Sequence, residues 1–252
     1  MGSASAQTGK LYLTDGNDYG NKVYVQQSGA IGAVFAAPGS QAYALSVSET
    51  INTIGQGYSS NGQSLSLSGA LLGSPYTRAG SYTFLDGASD GTYSYAVDWY
   101  GTSNKVYRAG LDWTNLTPIF NLPFLSFGIT YNSQANTLWF SNWTSNRLEQ
   151  YTLDGVSLGG FAAPASAPGA LAYDSADNTL WMNSYANGKM YQFNASTRAL
   201  VQTIDERRYW YGAEFQETAA VVATPEPAST ALLATGLIGV FGLVQRRRSR
   251  AR

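Results

Sequence analysis

Apolar and polar positions alternate along this chain in short bursts, most clearly between residues 169 and 204. Gly169-Ala170-Leu171-Ala172-Tyr173 is an apolar run, Asp174 to Asn178 is rich in Asp, Asn and Ser, and Thr179 to Asn183 is a second run. A loop from Ser184 to Gly188 leads to Lys189–Asn194 and then to Leu200–Ile204. Runs of this length bounded by turn formers read as β-strands, with the most apolar one innermost. Four strands therefore fit into one short stretch of chain.

The same unit recurs. Tyr131-Asn132-Ser133-Gln134-Ala135-Asn136-Thr137-Leu138-Trp139 stands 42 residues before Tyr173-Asp174-Ser175-Ala176-Asp177-Asn178-Thr179-Leu180-Trp181. Arg147-Leu148 and Gln150-Tyr151 match Lys189-Met190 and Gln192-Phe193 at the same offset. A marker column of Asn21, Asn61, Asn104, Asn146 and Gly188 is spaced 40, 43, 42 and 42 residues. A period near 42 with four strands per unit predicts an all-β chain built as a β-propeller. The repeats resemble those of NHL and YVTN propellers. Five blades account for residues 9–218, with six if residues 35–85 hide another; a β-sandwich is the competing all-β architecture. Gly212-Ala213-Glu214-Phe215 reads as an inner strand with no second strand after it. Gly9 to Leu13 reads as a second strand with no inner strand before it. The C-terminal strand is thus expected to complete the N-terminal blade.

The last part of the chain has a different pattern. Ala228 to Val244 is a run of 17 residues without a charge. As a helix it would be about 26 Å long, at the lower limit for a bilayer core of ~30 Å. Arg246-Arg247-Arg248 follows, which orients that end to the cytoplasm and the body outside. Together with Pro225-Glu226-Pro227, residues 224–252 resemble the PEP-CTERM sorting signal of Gram-negative bacteria; Thr224 stands where Val is common. The resemblance implies recognition by an exosortase, removal of the tail, delivery to the cell surface, and often an association with exopolysaccharide. Residues 219–227 then form a linker and 228–252 a transmembrane helix with its basic end. At the other terminus, Ala4-Ser5-Ala6 before Gln7 resembles the end of an export signal, so residues 1–8 read as its remnant or as an expression scar.

Composition narrows the chemistry. The charged fraction is 12%, and neither Cys nor His occurs. Thiolate and histidine catalysis and Cys/His zinc sites are thereby excluded. The tail holds five arginines and no acid lies beyond Glu226, so residues 1–227 carry 10 basic and 16 acidic groups. That net charge of −6 argues against nucleic acid. No spacing suggests a calcium loop or a cofactor, and the three glycosylation-like sequons at Asn115, Asn142 and Asn194 read as chance.

Candidate chemistry gathers in the loops between second and third strands, which share one face of a propeller. Each carries an aromatic: Tyr19, Tyr58, Tyr100, Trp143 and Tyr185, with Trp99 beside them. Asp15, Asp98, Asn142 and Asn183 lie close in sequence. Rings stack on the C–H face of a pyranose and polar groups read its hydroxyls, so this column is a candidate polysaccharide site. The competing reading is that the rings pack between blades. An alternative is a glycosidase, whose paired carboxylates would come from Asp15, Asp98 and Glu214. Ser141 and Asn183 fill the corresponding slots of other blades, which weighs against it. The expectation is a monomeric, non-enzymatic surface propeller.

Overall fold

A computed structural model describes residues 9–37, 41–55, 57–99 and 104–216. The chain divides into residues 1–217 and 218–252. Residues 1–8, the Pro-Glu-Pro motif, the apolar segment 228–244 and the arginine cluster lie outside the described residues. Among those described, no helix is long and apolar enough to cross a membrane.

Twenty strands among the described residues form five four-stranded antiparallel sheets. The first blade holds β1 (Leu11–Asp15), β2 (Lys22–Gln27) and β3 (Ala30–Ala36). The second holds β4 (Ala44–Val47), β5 (Thr50–Ile54), β6 (Gly57–Ser66) and β7 (Tyr76–Tyr82). The third runs β8 (Phe84–Ser89), β9 (Tyr93–Asp98), β10 (Lys105–Gly110) and β11 (Thr117–Asn121). The fourth runs β12 (Ser126–Asn132), β13 (Thr137–Asn142), β14 (Arg147–Thr152) and β15 (Ser157–Ala162). The fifth runs β16 (Pro168–Asp174), β17 (Thr179–Ser184), β18 (Lys189–Asn194) and β19 (Leu200–Asp205). The last strand, β20 (Trp210–Phe215), returns to the first blade and pairs with β1, Leu11 opposite Phe215 and Leu13 opposite Ala213. This is the closure expected from the unmatched strands at the two ends, and residues 35–85 hold a single blade.

Burial follows strand order. Inner strands such as β16 are buried along their whole length, while the outer strand β19 alternates exposed and half-buried positions. Five apolar clusters fill the five seams between blades. One packs Trp139 and Leu148 of the fourth blade on Leu171, Met182 and Phe193 of the fifth. Another packs Trp181 and Met190 on Leu11, Trp210 and Phe215 across the closing seam.

Three of the five marker positions share a conformational cause; in the first blade the left-handed residues are Tyr19 and Gly20, just before Asn21. Asn104, Asn146 and Gly188 open the third strands of their blades with φ of 40°, 53° and 65°. Asn and Gly are the residues that adopt this left-handed turn most readily. The second blade departs from the column. There β6 begins at Gly57, so Asn61 lies inside the strand and its side chain accepts from the Thr77 hydroxyl. Tyr58 therefore belongs to a strand and not to a loop.

Candidate functional site

The 42-residue period places Tyr43, Leu85, Phe127, Gly169 and Tyr211 in one layer, one per blade, at the start of each inner strand. Four of these side chains point into one depression. Trp99, Trp143 and Tyr185, which follow the second strands of blades three to five, complete its wall. The result is a cup of about 260 Å³ to which all five blades contribute, the fifth through Tyr185 because its inner-strand position is Gly169. Phe127 is its hub, 3% exposed. Its ring centroid lies 5.3 Å from Trp99, 5.7 Å from Trp143, 6.1 Å from Tyr185 and 5.2 Å from Tyr211. Trp99 and Trp143 meet edge-on at 85°, and Tyr43 lies 4.6 Å from Tyr211. Among the described residues, no charged side chain lines the cup. Burial pushes the Tyr43 hydroxyl above its ordinary pKa, and nearby Tyr19, Asp18 and Tyr185 add to the effect.

One residue deeper, the layer reads Ala44, Asp86, Gly128, Ala170 and Gly212. Asp86 is 0% exposed and is the one polar side chain in it. Its Oδ2 accepts from the N–H of Ile129 at 3.0 Å and of Leu171 at 2.8 Å. Its Oδ1 accepts from Ala213 at 2.9 Å and from its own neighbour Gly87 at 3.0 Å. An inner strand pairs with its sheet on one side only, so its other edge carries N–H groups without a ladder partner. One carboxylate satisfies such groups from four of the five blades and closes the axis beneath the cup. Burial pushes the Asp86 carboxyl well up, while the four donors pull the other way. The small neighbours in the layer make room for it. A Cβ on Gly128 would sit 2.2 Å from the Gly169 carbonyl oxygen, and one on Gly212 would sit 2.3 Å from that of Tyr43.

The structure thus brings together Trp99, Trp143 and Tyr185 from the loop aromatics. Trp143 and Trp99 are half-buried and Tyr185 is 40% exposed, so these three rings line the cup and are not sunk between blades. Tyr19 is 62% exposed and lies outside the lining. Tyr100 and the side chain of Tyr58 fall outside the described residues. Tyr43, Phe127 and Tyr211 were missed because an aromatic inside an apolar strand reads as core; their spacing of 84 residues and its 42-residue submultiple was the available signal.

The polar residues near the loop aromatics do other work. Asn183 accepts from the Trp210 N–H and donates to the carbonyls of Lys189 and Arg208. Asn142 accepts from the Ser145 N–H. Asp98 accepts from the Thr83 N–H, and Asp15 pairs with Arg208 at 2.9 Å. Glu214 accepts from the Ser89 N–H. None of the acids proposed for glycosidase chemistry lines the cup. Among the described residues, no group of three carboxylates is placed to hold a metal ion.

Fold and site together define a five-bladed propeller with an aromatic depression at one end of its axis. Residues 223–248 match the PEP-CTERM protein-sorting motif, which marks an exported, exosortase-sorted surface protein held at the membrane before processing. No curated protein matches the sequence. Among solved structures, the chain is similar to one from a nidogen/laminin complex, with a TM-score of 0.53 and 13% identity over 82% of this chain and 97% of that one. It is also similar to the glutaminyl cyclase of Myxococcus xanthus, with a TM-score of 0.51 and 17% identity over 65% and 70%. A protein of unknown function from Bacteroides caccae gives a TM-score of 0.51 and 11% identity over 79% and 74%. At these identities the likeness concerns the fold alone.

Proposed function

We propose that the propeller is a monomeric, non-enzymatic binding module that holds extracellular polysaccharide at the cell surface, with the axial cup as its site. The carrying observation is the convergence of Tyr43, Trp99, Phe127, Trp143, Tyr185 and Tyr211 on one open depression. Aromatic walls supply the apolar contact that a pyranose ring offers on its C–H face. Tyrosine hydroxyls and the indole N–H groups of Trp99 and Trp143 in the lining can supply hydrogen bonds for sugar hydroxyls. The sorting motif supports the location, since it delivers the body to the side of the envelope where such polymers lie.

The test is a glycan array probed with the full chain in mild detergent, wild type against Trp143→Ala. Loss of a central aromatic anchor costs about 2 kcal/mol or more, roughly thirtyfold in affinity. Equal binding by both proteins would remove the cup from the site, and no binding by either would remove the function.

A further inference from the structure

Three properties of the cup restrict what enters it, given the sugar-binding reading above. The first is its floor. Leu85 and Phe127 are almost fully buried at its base, and directly beneath them Asp86 is hydrogen-bonded to the inner strands of four blades. The depression is therefore blind. The second is its outline. Its lining side chains come from five successive blades and encircle the axis, which makes a cup and not a groove running along one seam. Its ~260 Å³ lies below the ~300–1,000 Å³ of sites that enclose drug-sized ligands. The third is its charge. Among the described residues the lining has no cation to meet a carboxylate or sulfate. Two acids lie close by: Asp86 sits under the floor, and Asp18, whose Oδ1 is buried without a hydrogen bond, adds to burial and Tyr19 in raising the pKa of the lining residue Tyr43. Residues 1–227 add a net −6. A negative group brought here would lose hydration with no cation in the described lining to offset it.

We propose that the cup takes the uncharged terminal sugar of a glycan end-on, and that it neither grips internal stretches of the chain nor accepts uronic or sulfated residues. The protein would then bind polymer ends, capping or tethering chains at the surface. Internal residues reach Leu85 and Phe127 less readily than an end does, because Trp99, Trp143 and Tyr185 rim the cup on three adjacent blades.

The test uses the full chain in mild detergent with a neutral β-glucan, a galactan and a mannan, each intact and hydrolysed to short oligomers, and with alginate treated the same way. End recognition predicts that, for a neutral polymer that binds, the sites titrated per gram rise in proportion to the number of chain ends. It also predicts that neither form of alginate binds. Leu85→Trp, which fills the base and leaves the rim rings in place, is expected to lower affinity by about tenfold or more. Equal sites per gram before and after hydrolysis would overturn end-on binding while leaving polysaccharide binding intact. So would full affinity in a folded Leu85→Trp, its fold checked by thermal unfolding. Preference for alginate would overturn the neutral specificity. Failure of every polymer would overturn the broader function as well.

Discussion

At the scale of single residues, the axis is set by side chains that are absent. Gly128 and Gly212 are small because the backbone of the next inner strand passes where a Cβ would stand. Gly128→Ala is expected to destabilise by about 1–3 kcal/mol or more, since the clash is with a carbonyl oxygen and not with a flexible side-chain end. Urea unfolding would measure it, and a cost under about 0.5 kcal/mol would show that the inner strands have slack. Asp86 was not legible as special when the sequence was read one segment at a time, because one acid in an apolar run looks like a strand-end turn residue. It becomes legible when residues are aligned at the 42-residue offset, where its equivalents are Ala44, Gly128, Ala170 and Gly212. The aromatic cup divides the same way. Trp143 and Tyr185 stood out because loops rarely carry large rings without cause, whereas Phe127 and Tyr43 were concealed by apolar neighbours.

At the scale of elements, the inner strands behave as five edges turned toward one another. Ordinary sheets blunt such edges with charges, proline or bulges; here one carboxylate gathers four of them. Asp86→Ala would leave four buried N–H groups without an acceptor, at an expected net cost of about 3–5 kcal/mol after relief of the buried charge. For a domain of this size that lowers Tm by roughly 10 °C, at ~2–4 °C per kcal/mol. Asp86→Asn, which keeps one acceptor oxygen but turns an NH₂ toward other donors, should lie between the two. Calorimetry on the three proteins would decide, and an alanine variant as stable as the wild type would mean that water replaces the carboxylate. Strand order and boundaries were legible because turn chemistry repeats: Asn104, Asn146 and Gly188 open their strands in the left-handed region. The second blade was misread at Asn61 and Tyr58 because β6 starts early, and a hairpin lengthened at one end leaves no mark in a residue column.

At the scale of the whole molecule, the architecture was legible from the period and from the unmatched strands at the two ends. What no local pattern carried was the convergence of five distant segments on one cup, since residues from 43 to 211 meet only once the ring is closed. Closure depends on β20, which covers β1 and supplies Trp210 and Phe215 to the last seam. Removing residues 210–252 would expose that seam and an unpaired inner edge, and the expected result is loss of cooperative thermal unfolding by circular dichroism. Removing residues 218–252 alone spares the ring, and a sharp transition should remain. The pairing of Leu11 with Phe215 has one more consequence, which concerns time. A chain threaded outward from its N-terminus cannot complete its first blade until its final strand has emerged, only seven residues ahead of the sorting motif that starts at 223. The ring therefore shuts late, and until then β1 waits for its partner β20.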